Sequence, residues 1–245
     1  MKIRDYQNAY SGRRCYLLGS GPSIADEDLS LLKNENTFAT NWFSLHPNWP
    51  ELNINFYCAY DARFVTPRPN PQWVESLNQS TSAHFFPKNW ADFPEFAGSC
   101  FIPYHDEIKI YRDRKFSFDP IRTGFYDGGS VILNFCLPLA MFMGFREIVL
   151  LGCEFDYGLS KNKTVDSGYF YPYQKQATPN DHTIESHKIW QQNSLTAFKV
   201  IQNAAEKRSI VILNATRGGI LDLFPRMRLQ EILLREVGTV HEITA

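Results

Sequence analysis

Two clusters of small residues stand where an apolar run meets a helix-like segment. Gly19-Ser20-Gly21-Pro22-Ser23 follows Cys15-Tyr16-Leu17-Leu18, and Gly128-Gly129-Ser130 precedes the run from Val131 to Met143. Small residues let the main chain approach a ligand closely. The first turn of the helix that follows offers unpaired N–H groups and the positive end of its dipole. That chemistry suits a phosphate. Two such turns in one chain predict a nucleotide site built from Gly19, Ser20, Gly21, Pro22 and Ser23 together with Gly129 and Ser130.

Other residues have the types that move protons or hold ions. His187 stands at the predicted start of a long helix and suits a general base, with His182 as the second candidate. Both also fit a loop and a helix cap as plain surface residues. Glu154-Phe155-Asp156 closes an apolar run. It reads either as an acidic pair holding Mn or Mg against a diphosphate or as a strand end that caps the next loop, and the second is expected. Arg217, within Asn214-Ala215-Thr216-Arg217-Gly218-Gly219, sits at a predicted carboxyl edge. There it either pairs with an anion or stays solvated in a tight turn.

Three familiar sites are excluded by spacing. The P-loop pattern GxxxxGK[ST] is absent. The dinucleotide fingerprint GxGxxG begins at Gly19 and Gly21 but meets Ile24 where its third glycine belongs. Its ribose-binding acid is replaced by Asn41 at the end of the second predicted strand. Asn both donates and accepts, so Asn41 suits a base edge or a ribose hydroxyl, or else merely turns the chain before Trp42. Cys and His also lack zinc spacing.

The elements that must position these residues read as an α/β domain. Apolar runs bounded by turn residues predict strands at Cys15–Leu18, Thr37–Thr40, Asn55–Ala59, His84–Pro87, Glu147–Leu151 and Ile210–Leu213. Helices are predicted at Asp26–Lys33, at Ser130–Met143, and over His187–Lys207 with its apolar residues at helical spacing. In the second, Ser130 caps the start, Pro138 distorts the middle and Gly144 ends it. The 245 residues are read as one domain, 1–245, with a lid-like insertion over 156–186 where Gly, Pro and Tyr break the pattern. A net charge of −1 with scattered Lys and Arg excludes an electrostatic footprint for nucleic acid. The five cysteines form no CxxC pair and read as buried thiols of a cytoplasmic protein. No run reaches the roughly 20 apolar residues of a membrane span. The closing segment, Phe224 to Val237, sets Arg226 and Arg228 beside an apolar stripe. It is expected to pack on the domain, with peripheral contact to a membrane surface as the other reading.

Taken in order, several of these residues resemble one family. They are Gly19-Ser20-Gly21-Pro22-Ser23, Asn41 in Thr40-Asn41-Trp42-Phe43, the Gly128-Gly129-Ser130 turn, Met143-Gly144-Phe145, and Arg146 to Phe155. The pattern is similar to bacterial CMP-sialic-acid-dependent sialyltransferases and their MptE-like relatives, which include archaeal 6-hydroxymethylpterin diphosphokinases. The resemblance covers most of the chain and extends to a histidine before the long helix. It implies a Rossmann-like, mostly parallel sheet of the variant GT-A glycosyltransferase fold, closed by a lid and working without a metal. It further implies that Gly19, Ser20, Gly21 and Asn41 hold CMP. Gly129 and Ser130 would contact the phosphate or the donor sugar's carboxylate, Tyr157 and Tyr169 would steady the departing phosphate, and His187 would be the base.

Three positions depart from the family pattern. Ser20 stands where the sialyltransferases have Asn, Asp61 replaces a second Asn, and the segment from Tyr157 to Tyr169 is longer. A phosphate would repel Asp61, which is therefore expected to meet ribose or base hydroxyl and amino groups.

The expected activity is transfer of an acidic sugar from a CMP donor to a cell-surface glycan or glycolipid acceptor, with no cofactor beyond the donor itself. The enzyme would be cytoplasmic or peripheral at the inner face of the membrane, as in lipopolysaccharide assembly, and self-association into a homo-oligomer is left open. Two other functions share these loops. One is a diphosphokinase transferring pyrophosphate from ATP, which would need Mg²⁺ and converging charged residues. The other is a nucleotide-binding accessory protein without chemistry.

Overall fold

The computed structural model describes residues 2–80, 82–156, 170 and 184–238. In chain order the strands are β1 (Arg14–Leu18), β2 (Asn36–Thr40), β3 (Phe56–Cys58), β4 (Ala83–Pro87) and β5 (Cys100–Ile102). They continue as β6 (Tyr104–Lys109), β7 (Phe125–Asp127), β8 (Glu147–Leu151) and β9 (Val211–Asn214). Seven of them form one sheet in the order β5-β4-β3-β2-β1-β8-β9, and every neighbouring pair is parallel. The strands β6 and β7 pair separately, also in parallel. The expected Rossmann-like α/β architecture is the one the chain forms.

The two central strands show why. Every residue of β1 and of β8 is buried, as a parallel sheet covered on both faces requires. Side chains alternate between two cores. Cys15, Leu17, Ile148 and Leu150 face a layer that contains Phe135, Leu139, Phe198 and Ile201. Tyr16, Leu18, Val149 and Leu151 face the other layer, built around Trp49, Trp73, Trp90 and Phe96. Much of the aromatic content is thus core.

The helices are α1 (Pro71–Asn78), α2 (Ile110–Asp113), α3 (Leu137–Phe142), α4 (Ile184–Glu206) and α5 (Leu229–Leu233). The amphipathic helix feeding the last strand is α4, as its periodicity predicts. The helix predicted at Asp26–Lys33 is not formed. Two 3₁₀ turns, Pro22–Asp26 and Leu29–Leu32, take its place. Asp28 breaks the segment by accepting hydrogen bonds from Ser30 N, at 3.1 Å, and Ser30 Oγ, at 2.5 Å. Such local side-chain bonds compete with helix continuation.

The predicted Ser130–Met143 helix exists but is not uniform. Residues Ile132–Cys136 form a π segment in which the Leu137 N–H reaches back to Ile132 O. Pro138 explains it: with no N–H to offer Asn134 O, the ladder widens one turn earlier. The chain leaves this helix through Gly144 at φ +89°, a left-handed conformation that glycine takes without strain.

The closing segment packs as expected, with Leu229 and Ile232 buried. Among the described residues no helix is long and apolar enough to cross a membrane. The lid expected over 156–186 lies outside the described residues except for 156, 170 and 184–186.

Candidate active site

An open parallel sheet offers a crevice at its carboxyl edge, where successive connections leave in opposite directions. Here that point lies between β1, which continues to β2 on one side, and β8 on the other. A cleft of about 780 Å³ opens there. Its sheet wall is made by Gly19–Gly21 after β1, Asn41 after β2, Asp61 and Arg63 after β3, and Gly152–Asp156 after β8. The opposite wall comes from Tyr104, Asp106 and Lys109 on β6, Asp127 on β7, the Gly129–Ser130 turn, and Trp190 and Asn193 on α4. The two glycine turns therefore share one cleft.

Their chemistry differs from the expectation. In the first turn, Gly19 N donates to Leu151 O at 2.8 Å and Gly21 N to Gly152 O at 2.9 Å. Ser23 N donates to Glu154 Oε1 at 2.7 Å. The Gly19, Gly21 and Ser23 N–H groups are therefore spent on Leu151, Gly152 and Glu154, at and just beyond the end of β8. The glycines are needed for the same reason: a Cβ on Gly19 would collide with Gly152 O, and one on Gly21 with the Glu154 carboxylate. Pro22 is exposed and, like Ser23, lies outside the cleft lining. The turn that follows is a 3₁₀ turn, so no α-helical dipole points at the cleft from here.

The two glycine N–H groups of the second turn are also bonded internally. Gly128 N donates to Asn134 Oδ1 at 2.5 Å, and Gly129 N to Asp127 Oδ1 at 2.9 Å. Asn134 is fully buried in the π segment, and its Nδ2 donates to Tyr104 Oη at 3.0 Å and to Asp127 Oδ1 at 3.1 Å. Lys109 Nζ closes the network on Asp127 Oδ2 at 2.6 Å. Burial lowers the Lys109 pKa, but the bond to Asp127 more than offsets this and holds it above the usual lysine value. Burial also pushes the Tyr104 hydroxyl up. None of Tyr104, Asp127 and Asn134 stood out in the sequence. Asn134 is hidden in an apolar run, and β6 is mostly polar, without strand-like alternation.

Three acceptors complete the sheet wall. Asn41 adopts a left-handed φ of +47°, and its carbonyl accepts from the buried Tyr57 hydroxyl, which itself accepts from Trp73 Nε1 at 2.8 Å. Asn41 Oδ1 is buried without a hydrogen-bond partner. Asp61 caps a 3₁₀ turn by accepting from Arg63 N at 2.9 Å, and its carboxylate is gripped by the Arg63 guanidinium. Glu154 is 7% exposed, and its second oxygen, Oε2, has no partner. Burial raises the Glu154 pKa, opposed by the bonds from Ser23.

His187 is 4% exposed on the first turns of α4 and lies outside the cleft lining, its ring edge-on to Trp190 at 5.2 Å. Tyr157, Tyr169 and His182 lie outside the described residues. Arg217 pairs within the chain, its Nε 2.6 Å from Glu27 Oε1. Among the described residues, no group of three or more His, Cys, Asp or Glu is placed to hold a metal ion. Five acids and two cations line the cleft, and both cations, Arg63 and Lys109, are paired with aspartates.

No family model matches the chain, and no curated protein matches it. Its backbone is similar to the structure of the MAf glycosyltransferase from Magnetospirillum magneticum AMB-1, with a TM-score of 0.51 and 14% identity. The match covers 92% of this chain and 37% of that one, so the chain spans well under half of its structural neighbour. What the two share is the fold.

Proposed function

We propose that this chain is a glycosyltransferase that moves an acidic sugar, sialic acid or a relative, from a CMP donor to a glycan acceptor without a metal. One observation carries the reading: both glycine turns open on a single cleft at the switch point of the sheet. The fold shared with a glycosyltransferase supports it.

Sugar transfer needs an acceptor hydroxyl that loses its proton, a stabilised leaving phosphate and the exclusion of water. His187 is the proposed base, and Tyr157 and Tyr169 are the proposed donors to the phosphate. His187→Ala is expected to abolish transfer while CMP still raises the melting temperature. Turnover near wild type in that variant removes the assignment.

A second reading keeps its place because five acidic side chains line the cleft. Acids gathered around a triphosphate are what a Mg²⁺-dependent diphosphokinase requires. A melting screen with CMP, CDP, UDP and ATP, in EDTA and in Mg²⁺, separates the two, since a ligand that binds the native state stabilises it by mass action. Stabilisation by CMP in excess EDTA supports the sugar transferase. Stabilisation by ATP only with Mg²⁺ replaces it with the diphosphokinase, and binding without turnover would leave an accessory protein.

A further inference from the structure

Among the described residues one Trp, Phe or Tyr side chain is exposed, and it stands on the wall of the cleft. Trp190 is 41% exposed, whereas Trp49, Trp73 and Trp90 are at most 2% exposed in the core. The other described Trp, Phe and Tyr residues are buried or half-buried. An indole left in water forgoes the burial that stabilises the others. Its neighbour Ile189 is exposed too but lies outside the cleft lining. Asn193, one helical turn on, lines the same wall, since residues three apart share a face of α4. The ring of His187, the proposed base, meets Trp190 at 5.2 Å. A general base works beside the hydroxyl it deprotonates, so the acceptor belongs at this end of the cleft.

The face of an indole is apolar and electron-rich. A pyranose ring offers a matching surface, a patch of weakly positive C–H groups bordered by hydroxyls. An amide beside the indole both donates to and accepts from such hydroxyls. A nucleobase also stacks on an aromatic face. The residues proposed to hold CMP, Gly19–Gly21 and Asn41, however, line the sheet wall, and Trp190 stands on the opposite one. We infer that Trp190 and Asn193 form a platform for the acceptor sugar, the indole taking its C–H face and the amide its hydroxyl rim. The inference rests on the sugar-transfer reading above, with His187 as the base.

The test uses the whole chain, three disaccharides as probes (lactose, maltose and N,N′-diacetylchitobiose) and CMP. Iodide should quench mainly Trp190, because Trp49, Trp73 and Trp90 are buried. At least one disaccharide should shield that emission, and CMP should not. Trp190→Leu should weaken the shielding disaccharide about tenfold by saturation-transfer NMR, while CMP raises the melting temperature as in wild type. Trp190→Phe, which keeps a ring, should restore most of the affinity. Neither change touches the core, so both proteins should fold. Shielding by CMP, together with weaker CMP binding in Trp190→Leu, would mean that the indole stacks on the base. That result overturns the inference and leaves the nucleotide reading standing. Disaccharide binding unchanged in Trp190→Leu, or no shielding by any of the three, does the same. Failure of CMP to bind wild type overturns both.

Discussion

Glu154 couples the ionisation of one side chain to the stability of the fold. Its carboxyl is held above the ordinary 4.5 chiefly by burial, so the native state favours the protonated form more than the unfolded chain does. The sign follows by linkage. The contribution is fully present below the ordinary value and is lost as pH rises through the raised native value. A Glu154→Gln protein carries no such titration, so its melting temperature relative to wild type should rise as pH climbs above 4.5 through the raised native value. Parallel melting curves for the two proteins across that range would contradict this. Gly19 offers a second check. A Cβ there meets the main-chain carbonyl of Gly152, which cannot rotate away, so Gly19→Ala should destabilise by about 1–3 kcal/mol or more in urea. Glycine at 19 and 21 was legible as a turn signal. The reason for it was not, because the atoms that exclude a side chain come from Gly152 and Glu154, which no local pattern brings near.

At the scale of elements, the π segment Ile132–Cys136 aims Asn134 into the polar network behind the second glycine turn. Replacing Asn134 with Ala would leave Gly128 N–H unpaired and remove donors from Tyr104 and Asp127 inside the wall. Each orphaned buried group costs about 1–3 kcal/mol, so the expected loss is about 2–4 kcal/mol by denaturant unfolding. An effect under about 0.5 kcal/mol would mean that water replaces the amide. Six of the seven strands of the main sheet were readable within a residue or two, since each is a short, mostly buried run; β5, only three residues long, was not. Pro138 announced the distortion of its helix. The separate β6–β7 pair was not readable: Tyr104–Lys109 is half charged, and its partner spans only Phe125–Asp127. The failed helix at Asp26–Lys33 has a cause that is visible in retrospect, since Asp28-Leu29-Ser30 is a sequence that caps its own turn.

Across the whole molecule, one buried ion pair binds the beginning, middle and end of the chain. Arg14 Nε donates to Glu147 Oε1 at 2.5 Å, while its Nη1 and Nη2 donate to the carbonyls of Ile232, at 2.8 Å, and Arg235, at 3.0 Å. The pair joins β1 to β8 and fastens α5 beside them. Glu147 is fully buried, and Arg14→Met would leave its charge only Arg235, 3.9 Å away, and the Gly238 N–H, at a cost of about 3 kcal/mol. The double variant Arg14→Met with Glu147→Leu should regain most of that. Equal stability of the single and double variants would show that the helix carbonyls, and not the charge, matter most. The sequence placed both residues at the starts of apolar runs but could not pair them.

That pairing also decides when the chain is able to fold. The inner strand β1 has one flanking strand, β2, soon after it, but its other neighbour arrives with a residue 133 positions away. On the ribosome, everything up to Phe145 emerges with one edge of its most buried strand bare, and that edge is a row of unsatisfied amides and carbonyls. Contacts so distant in sequence make folding slow, and the waiting intermediate sticky. A chain cut anywhere before β8 should therefore yield a fragment that aggregates and not a smaller working domain.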